Sequence, residues 1–95
     1  HPSGQTRIGD FLARAASCGV QIVVETHSDH LLNGIRLAIK EEILSPNETA
    51  FYYFAYDFEE DFTKVEQPII DEFGMFDEWP DGFFDEAEKS LGRLL

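Results

Sequence analysis

Glu25-Thr26-His27-Ser28-Asp29-His30 is the one dense polar cluster in this 95-residue chain whose side chains hold chemical promise. It follows the β-branched run Val20-Gln21-Ile22-Val23-Val24 and precedes an apolar-periodic stretch. That places it at the C-terminal end of a strand and the start of a helix. Ligands of open α/β sheets bind at such points, because strand ends converge there and helix N-termini present amides to anions. A neutral imidazole can donate one hydrogen bond to a phosphate oxygen while the protein holds its other nitrogen, and it can help fix an attacking water. Both are positioning tasks, which is most of what a protein contributes to phosphoryl transfer.

Three readings of the cluster are open. His27 could sense a phosphate; Glu25, His27, Asp29 and His30 could bind a divalent metal; or the run could only cap the helix and satisfy loop backbone. Spacing alone favours the last. His27 and His30 are three apart, which can bring two ligands together on one helical turn, but no further Cys/His set completes a zinc site. Asp71, Asp77, Asp81 and Asp85 lack the register of a calcium-binding EF-hand loop. Phe51, Tyr52, Tyr53, Phe54 and Tyr56 could stack bases, but their neighbours are Asp57, Glu59, Glu60 and Asp61 rather than Lys and Arg, so core packing is the expectation.

The elements that must position the cluster follow from periodicity. Ile8, Phe11, Leu12 and Ala15 predict a helix over residues 5–17 with that stripe buried, and Gly19 suits its left-handed end. Residues 20–25 predict a strand covered on both faces, as in a parallel sheet. Leu32, Ile35, Ile39 and Ile43 predict a second helix over residues 29–44, with Thr26 and Asp29 spaced as a capping box. Residues 45–48 read as a loop. Residues 50–56 and 63–70 predict an antiparallel pair, the second an edge strand because of Pro68. Beyond Asp71 periodicity is lost, and Phe73, Met75, Phe76, Trp79, Phe83 and Phe84 predict a small core pinning an irregular segment, as a structural clamp or a docking surface. Residues 83–95 predict a closing amphipathic helix.

The chain's formal net charge is −12. Residues 1–49 contribute −2 and residues 50–95 contribute −10, so direct contact with nucleic acid is not expected of the second half. A solvated acidic surface, or one that suits a basic partner protein, fits that balance. The single cysteine, Cys18, forbids an internal disulfide and reads as a small apolar residue beside the strand. No signal peptide or membrane-spanning run is visible, and the composition reads as cytoplasmic. The chain opens at His1-Pro2-Ser3-Gly4 without an initiator methionine, which predicts a piece of a longer protein.

The run Val23-Val24-Glu25-Thr26-His27-Ser28-Asp29-His30-Leu31-Leu32-Asn33 resembles the switch-histidine segment of the RecF/SMC/OLD-like branch of the ATP-binding-cassette ATPases. His1-Pro2 resembles the tail of their Walker B and D-loop region, which precedes a helix containing Ser and Gln. Ile70-Asp71-Glu72-Phe73-Gly74, then Trp79-Pro80-Asp81-Gly82-Phe83-Phe84-Asp85-Glu86, is similar to a C-terminal domain of unknown function carried by one bacterial subgroup of these ATPases. The resemblance implies that His27 contacts the γ-phosphate in a closed head-to-head homodimer, with Thr26 and Ser28 beside the nucleotide and His1 and Pro2 near the D-loop. It implies ATP and magnesium as cofactors, the rest of a parent ATPase as partner, and a role in DNA repair or defence against phage. No Gly-x-x-x-x-Gly-Lys-Ser/Thr run occurs among the 95 residues, so this segment alone is expected to be inactive.

The fold expected is therefore α/β. Residues 1–49 form the closing helix–strand–helix of a P-loop NTPase head, and residues 50–95 an acidic, aromatic-rich extension with an antiparallel strand pair and an irregular or helical cap. The competing function is a non-catalytic acidic interaction module that docks a basic partner. An isolated fragment is expected to expose apolar surface at residues 20–25 and either to dimerise or to be marginally stable.

Overall fold

The computed structural model describes residues 2–79, and within them the chain is a mixed α and β assembly of two helices and one antiparallel hairpin. The first helix, α1 (Pro2–Ser17), begins on a proline, whose fixed φ suits a first turn. It ends at Gly19, with φ +96°, as the sequence predicts. The second, α2 (Asp29–Lys40), stops four residues earlier than its apolar periodicity suggests. Glu42 takes a left-handed conformation, φ +64°, and turns Ile43 and Leu44 back against the helix.

The two helices meet through backbone. A Cβ on Gly9 would overlap the carbonyl of Leu31, and a Cβ on Gly34 would overlap the carbonyl of Thr6. Gln5 reaches Ser28 at one end of this contact, and Ala13 shares the core with Ala38 towards the other. Positions rise together along both helices, so α1 and α2 run side by side in the same direction. The link between them must return the length of α1, about 24 Å for 16 residues. Only an extended segment covers that distance in so few residues, and residues 21–27 are assigned to neither helix nor strand.

This departs from the predicted strand over residues 20–25, buried on both faces. The segment runs between the helices as a crossover strand would, but among the described residues no strand lies beside it to close a ladder. Val23 is 93% exposed, and Val20 and Val24 are also exposed. The expected exposure of apolar surface here is what the structure has. The stripe on α1 is corrected too: Ile8 and Phe11 face outward, while Gly9 and Ala13 are buried. Small residues let the helices approach closely, and that contact takes precedence over the bulkier stripe. Cys18 is likewise exposed rather than packed.

After α2 a 3₁₀ turn over Pro46–Glu48 carries a full capping box: the Ser45 hydroxyl accepts from the Asn47 amide, and the Glu48 carboxylate accepts from the Ser45 amide. Strands β1 (Tyr53–Asp57) and β2 (Phe62–Glu66) pair antiparallel, with Phe54 opposite Val65 and Asp57 opposite Phe62. Pro68 falls beyond β2, where its missing N–H costs no ladder bond. The aromatic run was expected to be core. Instead Phe51 and Tyr53 are half-buried while Tyr52, Phe54 and Tyr56 are exposed, because one face of β1 is only partly covered and β2 is exposed along its whole length. The core joins Ala13, Ala38, Ile39, Leu44 and Ile70, with Ile35, Ile43, Phe51 and Phe76 packed around it. The helix expected over residues 83–95, and Phe83 and Phe84 of the proposed small core, lie outside the described residues.

Candidate functional site

Gln5, Thr26, His27, Ser28, Asp29 and His30 line an open concavity of about 560 Å³ at the N-terminal end of α2. The cap of that helix is Ser28, not the predicted Thr26 pair. Its Oγ accepts from the Leu31 amide at 3.1 Å, which satisfies one first-turn donor. The same hydroxyl donates to Gln5 Oε1 at 2.7 Å and so ties the loop to α1. Thr26 sits one step earlier, its Oγ1 accepting from the Ser28 amide at 3.0 Å. The Ser28 hydroxyl is thus committed to structure, whereas the Thr26 hydroxyl keeps its own proton to donate.

His27 lies between these two anchored residues and its side chain is exposed at the mouth. His30, in the first turn of α2, is half-buried, and its Nδ1 is buried without a hydrogen-bond partner. The polar lining offers an anion two imidazoles and a threonine hydroxyl, but no lysine or arginine, and it also holds Asp29. Such a place can read the position of a phosphate oxygen; neutralising its charge requires cations from elsewhere. The four-residue metal reading gains no geometric support, since no three His, Cys, Asp or Glu side chains among the described residues gather as a metal would need.

The resemblance-based candidates are thus brought together at Thr26, His27 and Ser28. Pro2 opens α1, and His1 lies outside the described residues. Gln5 joins the cluster across 23 residues of sequence. No local spacing could single it out, and only the parallel run of the helices brings it there.

A second constellation lies on the next turns of α2, and it is the feature sequence reasoning missed. Arg36 is fully buried. Its Nε donates to the Gly74 carbonyl at 2.8 Å and its Nη1 to Asn33 Oδ1 at 3.0 Å. Its guanidinium carbon stands 4.6 Å from the Trp79 ring centre and 5.5 Å from that of Phe76. Burial pushes the Arg36 pKa down to about 10, partly opposed by Asp71, so the group stays charged at neutral pH. The available signal was a charge on the apolar stripe: Arg36 is four residues after Leu32 and three before Ile39.

Residues 69–77, expected to be irregular, form the clasp around this arginine. Ile70 bridges Phe76, and the Asp77 amide donates to the Ile69 carbonyl at 2.9 Å. Asp71 Oδ1 accepts from the amides of Phe73 and Met75, and Asp77 Oδ1 from that of Ile69, each at 2.9 Å. Gly74, at φ +78°, lies so close to α2 that a Cβ would overlap the Arg36 carbonyl. Phe51, Phe76 and Trp79 stack edge to face in series, whereas Phe73, assigned to the small core, is exposed. These aspartates are structural clamps, holding amides that no regular element satisfies.

A protein-family model described as Protein of unknown function (DUF3696) matches residues 44–94, more than half of the chain. No curated protein and no solved structure matches. No helix among the described residues is long and apolar enough to cross a membrane.

Proposed function

The chain belongs to the DUF3696 family, and from that premise we propose that it is the C-terminal segment of an ATP-binding-cassette-type ATPase in which His27 senses the γ-phosphate. The observation that carries this reading is the path of the chain: two helices run the same way, joined by an extended apolar segment that ends at the exposed His27. A crossover of that kind belongs to an α/β unit whose other strands come from neighbouring sequence. Val20, Val23 and Val24 are the surface such strands would cover.

In this role His27 donates a hydrogen bond to a phosphate oxygen. Thr26 adds a second donor, and Ser28 fixes the loop through its cap and Gln5. ATP and magnesium would be held chiefly by a phosphate loop and acidic residues of the parent protein, which supply the charge neutralisation that the concavity lacks. A head-to-head homodimer would close the site, with His1 and Pro2 near its interface. The parent would act in DNA repair or in defence against phage.

The test is ATP turnover by the parent protein with and without His27→Ala. A loss of turnover of about 100-fold or more, with nucleotide affinity largely kept, is the expected result. Unchanged turnover would return His27 to a helix-capping loop. The second reading, an acidic module that docks a basic partner, is favoured by the exposed face of the hairpin.

A further inference from the structure

The β1–β2 hairpin carries an apolar row on its outer face. Tyr52, Phe54 and Tyr56 alternate with the half-buried Tyr53 and Ala55, and Phe54 is 66% exposed. Val65, directly opposite Phe54, lies on the same face and is also exposed. Phe58 stands edge-on to Tyr56, ring centres 4.7 Å apart, and is 87% exposed. Scattered apolar side chains on a surface need no explanation, but a contiguous aromatic row does.

Charge is concentrated at one end of that row. The connection between the strands holds Asp57, Glu59, Glu60 and Asp61. Asp57 is occupied by the amides of Glu59 and Glu60, and Asp61 accepts from the Tyr56 hydroxyl. The carboxylates of Glu59 and Glu60 are exposed at the tip. Residues 52–66 contain five acidic residues and one lysine. Nucleic acid is repelled by this rim, and a second copy would oppose −12 with −12.

We propose that this face docks a basic segment of a partner protein, whose apolar side chains cover Phe54, Tyr56 and Val65 while its arginines or lysines reach Glu59 and Glu60. Arginine fits best, because its planar head can both stack on an exposed ring and pair with a carboxylate. The proposal rests on the second reading above, that of an acidic docking module, names the residues that carry it, and stands whether or not His27 serves ATP hydrolysis.

A nine-residue peptide of alternating arginine and leucine is the probe, titrated into the full chain and followed by backbone NMR. Saturable shifts centred on residues 52–65 are expected, together with weakening by added salt. Phe54→Ser should lower affinity about tenfold, as removal of a central anchor does. Glu59→Lys with Glu60→Lys should lower it and flatten the salt dependence. These positions are exposed, so the variants should keep the unsubstituted chain's circular dichroism; Val65→Ser, across the strand pair from Phe54, provides an independent variant that should also weaken binding. Binding unchanged by Phe54→Ser and Val65→Ser would reduce the effect to bulk charge attraction and overturn the proposal. So would a concentration-dependent dimer, seen by sedimentation, that Phe54→Ser dissociates, since the face would then belong to a second copy.

Discussion

Replacing Arg36 with methionine would open the junction between α2 and residues 69–79 while keeping much of the side chain's volume. The Gly74 carbonyl and the Asn33 amide oxygen would lose the donors that reach them at 2.8 and 3.0 Å. Each buried acceptor that loses this donor costs about 1–3 kcal/mol, so the two together cost about 2–6 kcal/mol. The rings of Phe76 and Trp79 would lose their cation, a further 0.5–2 kcal/mol or so. Against this, the guanidinium no longer has to be desolvated. Burial lowers its pKa to about 10, which corresponds to about 3 kcal/mol of relief. The balance is a net loss of about 2 kcal/mol, or a drop in Tm of about 8–16 °C for a domain of this size. Chemical denaturation followed by the fluorescence of Trp79, the only tryptophan in the chain, measures it at the junction itself. An Arg36→Met chain as stable as the wild type, or more so, would refute the reasoning. It would mean that desolvation outweighs the hydrogen bonds, as it does for some buried ion pairs.

Other substitutions probe separate features. Gly34→Ala forces a Cβ against the Thr6 carbonyl and should cost about 1–3 kcal/mol in a thermal melt, whereas Gly4→Ala, with open space around it, should cost little. Ser28→Ala removes the α2 cap and the link to Gln5, and should lower stability by about 1–2 kcal/mol in denaturant titrations. Cys18, exposed at the end of α1, should react with a thiol reagent at one equivalent without denaturant. Val23→Ser should change the stability of this chain by less than about 0.5 kcal/mol. In a parent protein whose sheet covers that position, the same change should be clearly destabilising.

What the sequence made legible was local. The periodicity of residues 5–17, Gly19 at the helix end and the aromatic run around Tyr53 each express a rule that acts over a few residues, and the two helices and the hairpin appear near where those rules put them, with α2 and both strands shorter than expected. The exposure of those elements was less legible. Ile8 and Phe11 look like core until Gly9 and Gly34 are seen to bring the helices together, and that contact spans 25 positions. Val20–Val24 reads as a buried strand because its composition suits neighbours that the described residues do not provide. Arg36 escaped notice because its charge is satisfied by the Gly74 carbonyl, 38 residues away. At the candidate site the run Thr26-His27-Ser28 was visible at once, yet the division of labour within it was not. Only the distances show that Ser28 is occupied as a cap while His27 is left open.

The glycine contact between α1 and α2 has a mechanical consequence. Helices separated by interlocking side chains can slip by small rotamer changes, a soft layer that absorbs strain. Here Thr6, Gly9, Leu31 and Gly34 bring main chain onto main chain, so that layer is missing at the crossing. The pair should therefore tilt as one stiff beam. Its ends are loaded differently, with the His27 loop at the start of α2 and the arginine clasp two turns further on. A push of an ångström at the loop has no cushion in which to dissipate before it reaches Gly74.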